Sequence, residues 1–210
     1  MSFEDLREDR LKKLALLKQS GVDPYPAVSD RDTSVSEALS FFADLSAHTD
    51  AYTLAGRVMS FRLHGGVAFT DVSDGTSQET IQIVIKKDEV GDASFDLFAA
   101  TIDRGDFAEF AGTLFVTNRG QNSLAAKSWR MLTKSIRPLP DSWSGFADPE
   151  ERLRKRYLDI LMNKEVREIV EKRSTFWRTM RDFLLASGFL EVETPVIETT
   201  PGGADARPFV

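Results

Sequence analysis

The apolar residues change period at Tyr52, and that change restricts the fold more than any other feature of this 210-residue chain. From there Leu54, Gly56 and Val58 alternate with Ala55, Arg57 and Met59. The runs 67–72 and 81–85 keep the same period of two, which puts successive side chains on opposite faces of a strand. Asp74-Gly75 supplies a turn between the second and third runs. Residues 93–102 then read as a short helix with Phe95, Phe98 and Ile102 on one side, and strand periods return over 107–116 and 124–132. The order β-β-β-α-β-β is that of the OB-fold, a partly open Greek-key barrel that binds oligonucleotides or oligosaccharides.

The flanks are helical. Residues 3–20 place Phe3, Leu6, Leu14 and Leu17 on one stripe, closed by Gly21, and Asp23-Pro24-Tyr25-Pro26 forces a linker. Ser34 and Glu37 have capping-box spacing before a second short helix carrying Val35, Leu39 and Phe42. Barrel signals stop near Lys134, where Arg137-Pro138-Leu139-Pro140 opens a linker with Trp143 and Phe146 as anchors. Asp148 and Pro149 predict the start of a helix over 150–162. A longer helix is predicted over 166–186, with Val166, Ile169, Val170, Trp177, Met180 and Leu184 as its stripe. Gly188 ends it, and 189–194 read as a strand stopped by Pro195. A helix and one strand cannot bury their own apolar faces, so 150–210 read as the beginning of a larger domain.

Composition removes several chemistries. The chain has no Cys and only His48 and His64, which excludes thiol chemistry and argues against a His-rich metal site or a Ser-His-Asp triad. No apolar run has the ~18 residues of a membrane span, and the first ten residues read as neither a secretory signal nor a transit peptide. A cytosolic location follows as an expectation. The net charge of −6 lacks the usual basic signature of nucleic-acid binders, although a sum over the chain can hide a local basic face. Within the barrel, Arg57, Phe61, Arg62, Phe69 and Gln82 lie on neighbouring strands and have the chemistry to stack on bases and read their edges. Spacing alone fits Phe69 equally well as an inward core residue. The basic run 152–156 reads as a solvated helix face beside Glu150 and Glu151 before it reads as a phosphate contact, and His64 as a turn residue. Gly202-Gly203-Ala204 is too short for a phosphate-binding loop and lacks its Lys.

Read together, several segments resemble the amino-terminal part of bacterial class II lysyl-tRNA synthetases. They are 10–14, 21–26, 54–59, 81–83, 112–115, the linker 134–140 and the run RKRYLDIL at 154–161. Residues 188–195 look like class II motif 1, and 202–204 with 206–209 match the lysine-specific continuation, which differs from that of aspartyl and asparaginyl relatives. The resemblance implies a domain plan. A helical segment, 1–50, packs on an all-β OB-fold anticodon-binding barrel, 51–135; a linker, 136–149, leads to the α+β start of a catalytic domain, 150–210.

The resemblance also implies roles. Phe69 matches the aromatic that stacks on an anticodon base, Gln82 the side chain that reads a central uridine, and Arg62 a neighbouring anticodon contact. Pro195 with the long helix would form a homodimer interface, and Gly203 would approach the amino group of bound lysine. The parent enzyme would activate lysine with ATP and Mg²⁺ and esterify lysine tRNA in the cytoplasm. No catalytic residue, metal ligand or bound cofactor is expected in this chain alone, because the later arginine motifs lie outside it. Two positions depart from the family: Phe61 stands where a basic residue is common, and Gly120-Gln121-Asn122-Ser123 replaces Gly-Glu-Leu-Ser. The alternatives are a stand-alone tRNA-binding module, a truncated synthetase paralogue, or an aspartyl- or asparaginyl-type synthetase.

Overall fold

A computed structural model describes residues 2–48, 50–140 and 148–196. The chain divides into two compact units, Met1–Gly145 and Phe146–Val210, each taken by itself below.

In the first unit, α1 (Phe3–Gln19) starts at a capping box between Ser2 and Asp5, and Leu17 is fully buried. The predicted second helix starts at its Ser34–Glu37 box but forms two pieces, α2 (Val35–Ser40) and α3 (Phe42–Ser46), interrupted at Phe41. The strands are β1 (Tyr52–His64), β2 (Val67–Ser73), β3 (Ile81–Lys86), β4 (Phe107–Val116) and β5 (Asn122–Thr133). Between β3 and β4 lie α4 (Lys87–Val90) and α5 (Asp92–Thr101). Hydrogen bonding runs β1-β2-β3-β5-β4 and returns to β1, a closed ring that leaves no free sheet edge. Among the described strands only β3 and β5 pair in parallel.

Alternation sends Leu54, Val58, Ala68, Val72, Ile81, Ile83, Ile85, Leu124 and Met131 into one core. Helix α5 adds Phe98, whose ring meets Phe61, Phe110 and Trp129 edge-on at 5.8, 6.1 and 5.0 Å between centroids. Gly112 sits at a register shift between β4 and β5, where a Cβ would lie 2.0 Å from the Ala125 carbonyl oxygen. Glycine is required there by close backbone approach.

Buried charge joins the first helix to the end of the barrel. Lys134 is fully buried, and its Nζ donates to Asp103 and, at 2.7 Å, to Asp106 Oδ2. Asp106 also accepts from the backbone N–H groups of Ser135 and Asp103, at 2.8 and 2.7 Å. From α1, Lys13 donates to Asp103 at 2.7 Å, and the Arg10 guanidinium donates to the carbonyls of Arg104, Ser135 and Arg137.

A second polar tie holds α2 to the β2–β3 turn. Asp74 accepts from Val35 N at 3.0 Å, from Thr76 N at 2.9 Å and from the Thr76 hydroxyl at 2.6 Å, with Arg31 at 3.3 Å. Burial alone would raise its carboxyl, but the bonds from Thr76 and Val35, with Arg31, hold it below the ordinary carboxylate range. A group depressed in the folded state stabilises above its unfolded value and loses that contribution as pH falls through the folded one. Asp74→Asn is therefore expected to cost on the order of 1 kcal/mol at neutral pH. It should also flatten the loss of stability below about pH 4, as urea midpoints measured across that range would show.

In the second unit the predicted helix over 150–162 is broken at Lys155 into α6 (Pro149–Arg154) and α7 (Arg156–Met162), with Asp148 capping and Pro149 in the first turn. The long helix, α8 (Lys164–Ala186), ends at Gly188, which takes φ +86°. Gly188 N donates to Leu185 O and Phe189 N to Leu184 O, a Schellman ending. The strand predicted over 189–194 does not form: those residues lie beyond the helix and have no ladder partner among the described residues. Strand propensity does not make a strand without a neighbour. Among the described residues Val166 of the predicted stripe is buried, whereas Ile169, Val170, Trp177, Met180 and Leu184 are exposed.

Candidate nucleic-acid interface

Strand register builds three rows on the outer face of β1, β2, β3 and β5. His64, Val67 and Lys86 form the first, and Arg62, Phe69, Val84 and Ala125 the second. Ser60, Asp71, Gln82 and Ser123 form the third. Residues directly opposite one another share a face. The neighbours of Phe69 along β2, Ala68 and Thr70, are fully buried, whereas Phe69 is half-buried and outside the core cluster. The inward reading of Phe69 is thus removed.

A bulge in β1 sets this arrangement. The register shifts between Val58 and Ser60, which places Phe61 opposite Thr70 and Arg62 opposite Phe69. Phe61 packs edge-on against Phe98, on the core side. Arg62 faces outward, 58% exposed, with its Nη2 3.5 Å from Asp71 Oδ2. The same carboxylate oxygen accepts a short hydrogen bond from the Ser60 hydroxyl. Gln82 is buried to 6% exposure, and the Ser123 hydroxyl donates to its Oε1 at 3.2 Å.

The face carries a charge gradient. Lys86 and Arg62 lie in the first two rows, and the one carboxylate of these rows, Asp71, in the third. A chain of net charge −6 therefore still offers an aromatic ring between cations. Such a surface suits a stacked base with its phosphates towards Arg62 and Lys86.

Other residues singled out from the sequence serve elsewhere. Arg57 donates to the Gly105 carbonyl at 3.0 Å and lies 4.2 Å from the Phe107 ring centroid, a structural placement whose burial lowers its pKa. Arg154 and Lys155 pair with Glu150 and Glu151, and Arg152 and Arg156 converge on the buried Asp159. Burial alone would raise Asp159, but the bonds from Asn163 and Arg152, with Arg156 nearby, hold it below the ordinary carboxylate range. The basic run 152–156 is thus neutralised within its own helices, as the solvated-face reading expected. In the β4–β5 turn, Gln121 N donates to the Thr117 hydroxyl and its carbonyl accepts from the Ser123 hydroxyl. Pro195 is exposed in the extended segment after α8. Gly203, Trp143 and Phe146 lie outside the described residues.

Sequence reasoning missed Ser60, Asp71 and Ser123. Asp71 was findable, two residues beyond Phe69 on the same strand. Ser60 was hidden by the bulge and Ser123 by the non-local β3–β5 pairing.

Comparison with known proteins follows the same division. Residues 52–132 match the model of the OB-fold nucleic acid binding domain, and 148–210 that of the class II tRNA synthetases (D, K and N). The lysine–tRNA ligase of Roseiflexus castenholzii is 41% identical over all of this chain and 43% of its own length. That of Pelotomaculum thermopropionicum is 42% identical over 99% of the chain and 40% of its own length. The lysylphosphatidylglycerol biosynthesis bifunctional protein LysX of Rhodococcus jostii is also 42% identical, over 96% of the chain but 17% of its own length. The chain spans less than half the length of these relatives.

Proposed function

We propose that the chain, which matches the OB-fold nucleic acid binding domain and the class II tRNA synthetases of the D, K and N group in successive segments, is the anticodon-binding part of a lysine–tRNA ligase with the opening segment of its catalytic domain. The outer-face row Arg62, Phe69 and Val84, with Gln82 alongside, carries the reading. Phe69 stacks on an unpaired base, Arg62 meets the backbone beside it, and Gln82 reads a central uridine. In the parent protein, lysine would be activated with ATP and Mg²⁺ and passed to lysine tRNA by a cytoplasmic homodimer. Pro195 and α8 would lie at its dimer interface and Gly203 beside the lysine. The domain plan expected from sequence, a helical segment 1–50, a barrel 51–135, a linker 136–149 and a catalytic start 150–210, is part of this proposal.

Among the described residues no group of three or more His, Asp or Glu could hold a metal ion. Nor is any described helix long and apolar enough to cross a membrane. The chain alone is proposed to bind tRNA without forming lysyl-adenylate.

The likeness to LysX favours one second reading: the same tRNA-binding part within a longer bifunctional protein. Both readings require the barrel to prefer a stem-loop with a UUU triplet over the same stem with a scrambled loop. A titration by fluorescence anisotropy is expected to show that preference, and equal affinities would sink both. Only the parent's full length separates them.

A further inference from the structure

We propose that Ser123 is a positioning residue that sets which end of the Gln82 carboxamide is offered to a base, and so controls uridine-over-cytidine selectivity. The inference rests on the reading of the outer face given above and extends it to a residue that would not itself touch RNA.

Ser123 is fully buried, and two oxygens lie within reach of its hydroxyl: Gln82 Oε1 and the Gln121 carbonyl, each 3.2 Å from Oγ. A hydroxyl has one hydrogen to donate and serves one acceptor at a time. When it serves Gln82, the amide oxygen is turned towards β5. Among the described residues no group accepts from Gln82 Nε2, so the amide nitrogen is the end left for a ligand. A uridine presents carbonyl oxygens that accept from that N–H, whereas a cytidine presents an exocyclic amine in place of one of them. If the hydroxyl turns to Gln121 instead, its oxygen accepts from the Gln82 amide nitrogen and the carboxamide oxygen becomes the end offered to the base.

The parallel pairing of β3 with β5 brings the two side chains together, with Gln82 directly opposite Ser123. The hydroxyl therefore links the β4–β5 turn to the base-reading row. A surface-exposed Gln would have no such lock, and its two ends would discriminate poorly.

The test uses the 210-residue chain and two stem-loops that differ only in a central uridine or cytidine. Ser123→Ala is expected to lower the ratio of the two affinities by about three- to tenfold, the worth of one oriented hydrogen bond. Partial unfolding scales both affinities alike, so it cancels from the ratio. In a Gln82→Met background, where no carboxamide remains to orient, the same Ser123→Ala change should leave the ratio unaltered. A parent-like ratio in the single variant would overturn the inference while leaving the anticodon reading intact. So would an equal drop in both backgrounds, since Ser123 would then act apart from Gln82. A parent that binds the UUU loop over a scrambled one without separating uridine from cytidine would remove the role of Gln82 and this inference with it.

Discussion

Replacing Lys134 with methionine is expected to lower the stability of the barrel unit by about 3–5 kcal/mol, the usual cost of stranding a buried charge. Its ammonium lies between Asp103 and Asp106, and neither it nor Asp106 is solvent-exposed. Burial pushes the Asp106 carboxyl above its ordinary range even with Lys134 beside it. For Asp103 burial acts the same way, but the hydrogen bonds from Lys13 and Lys134 outweigh it and leave that group below its ordinary range. With the ammonium gone, Asp106 is a fully buried carboxylate with only backbone donors. A drop in melting temperature on the order of 10 °C should follow. The sign of its pH dependence is also determined. A group whose folded pKa is raised favours the folded state most when protonated, so the deficit of Lys134→Met should shrink as pH falls from neutral towards 5. Adding Asp106→Asn should recover part of the loss. A cost below about 1 kcal/mol, typical of exposed ion pairs, would show that the cluster is solvated in solution.

Phe69→Ala should weaken binding of an anticodon-type stem-loop by about 1–3 kcal/mol, or roughly 5- to 150-fold in Kd. Because the ring projects from the sheet rather than into its core, urea unfolding should shift far less than affinity. Phe69→Trp keeps a stacking face and should keep most of the binding. If stability falls instead while affinity per folded molecule holds, the ring is a packing residue and the base-stacking role is lost.

Much of the barrel was legible because alternation reports a strand that has one face wet and one face dry. The bounds of β2 follow from Val67 in that way and α5 from Phe95, Phe98 and Ile102, whereas β3, buried on both faces over 81–85, was legible from its Ile and Val content. What local pattern could not carry was anything set by a distant partner. The bulge that turns Arg62 outward is a property of the β1–β2 pair, and the Gln82–Ser123 contact exists only because β5 returns beside β3. Residues 189–194 fail as a strand for the same reason in reverse, since their alternation is real but nothing among the described residues pairs with them. The break at Lys155 had no Pro or Gly to announce it. The site was half legible: Phe69, Arg62 and Gln82 came from residue type and position, while the residues that hold them required coordinates.

Because β5 bonds to β3 on one side and β4 on the other, the first four strands form a sheet with two open seams until the final strand is synthesised. A ribosome delivers residues in order, so the interior stays wet until residue 133 has left it. Only then can Lys134 reach the two aspartates waiting for it. Closure of the ring during translation should accordingly be a late event, slow for its size as non-local pairing dictates.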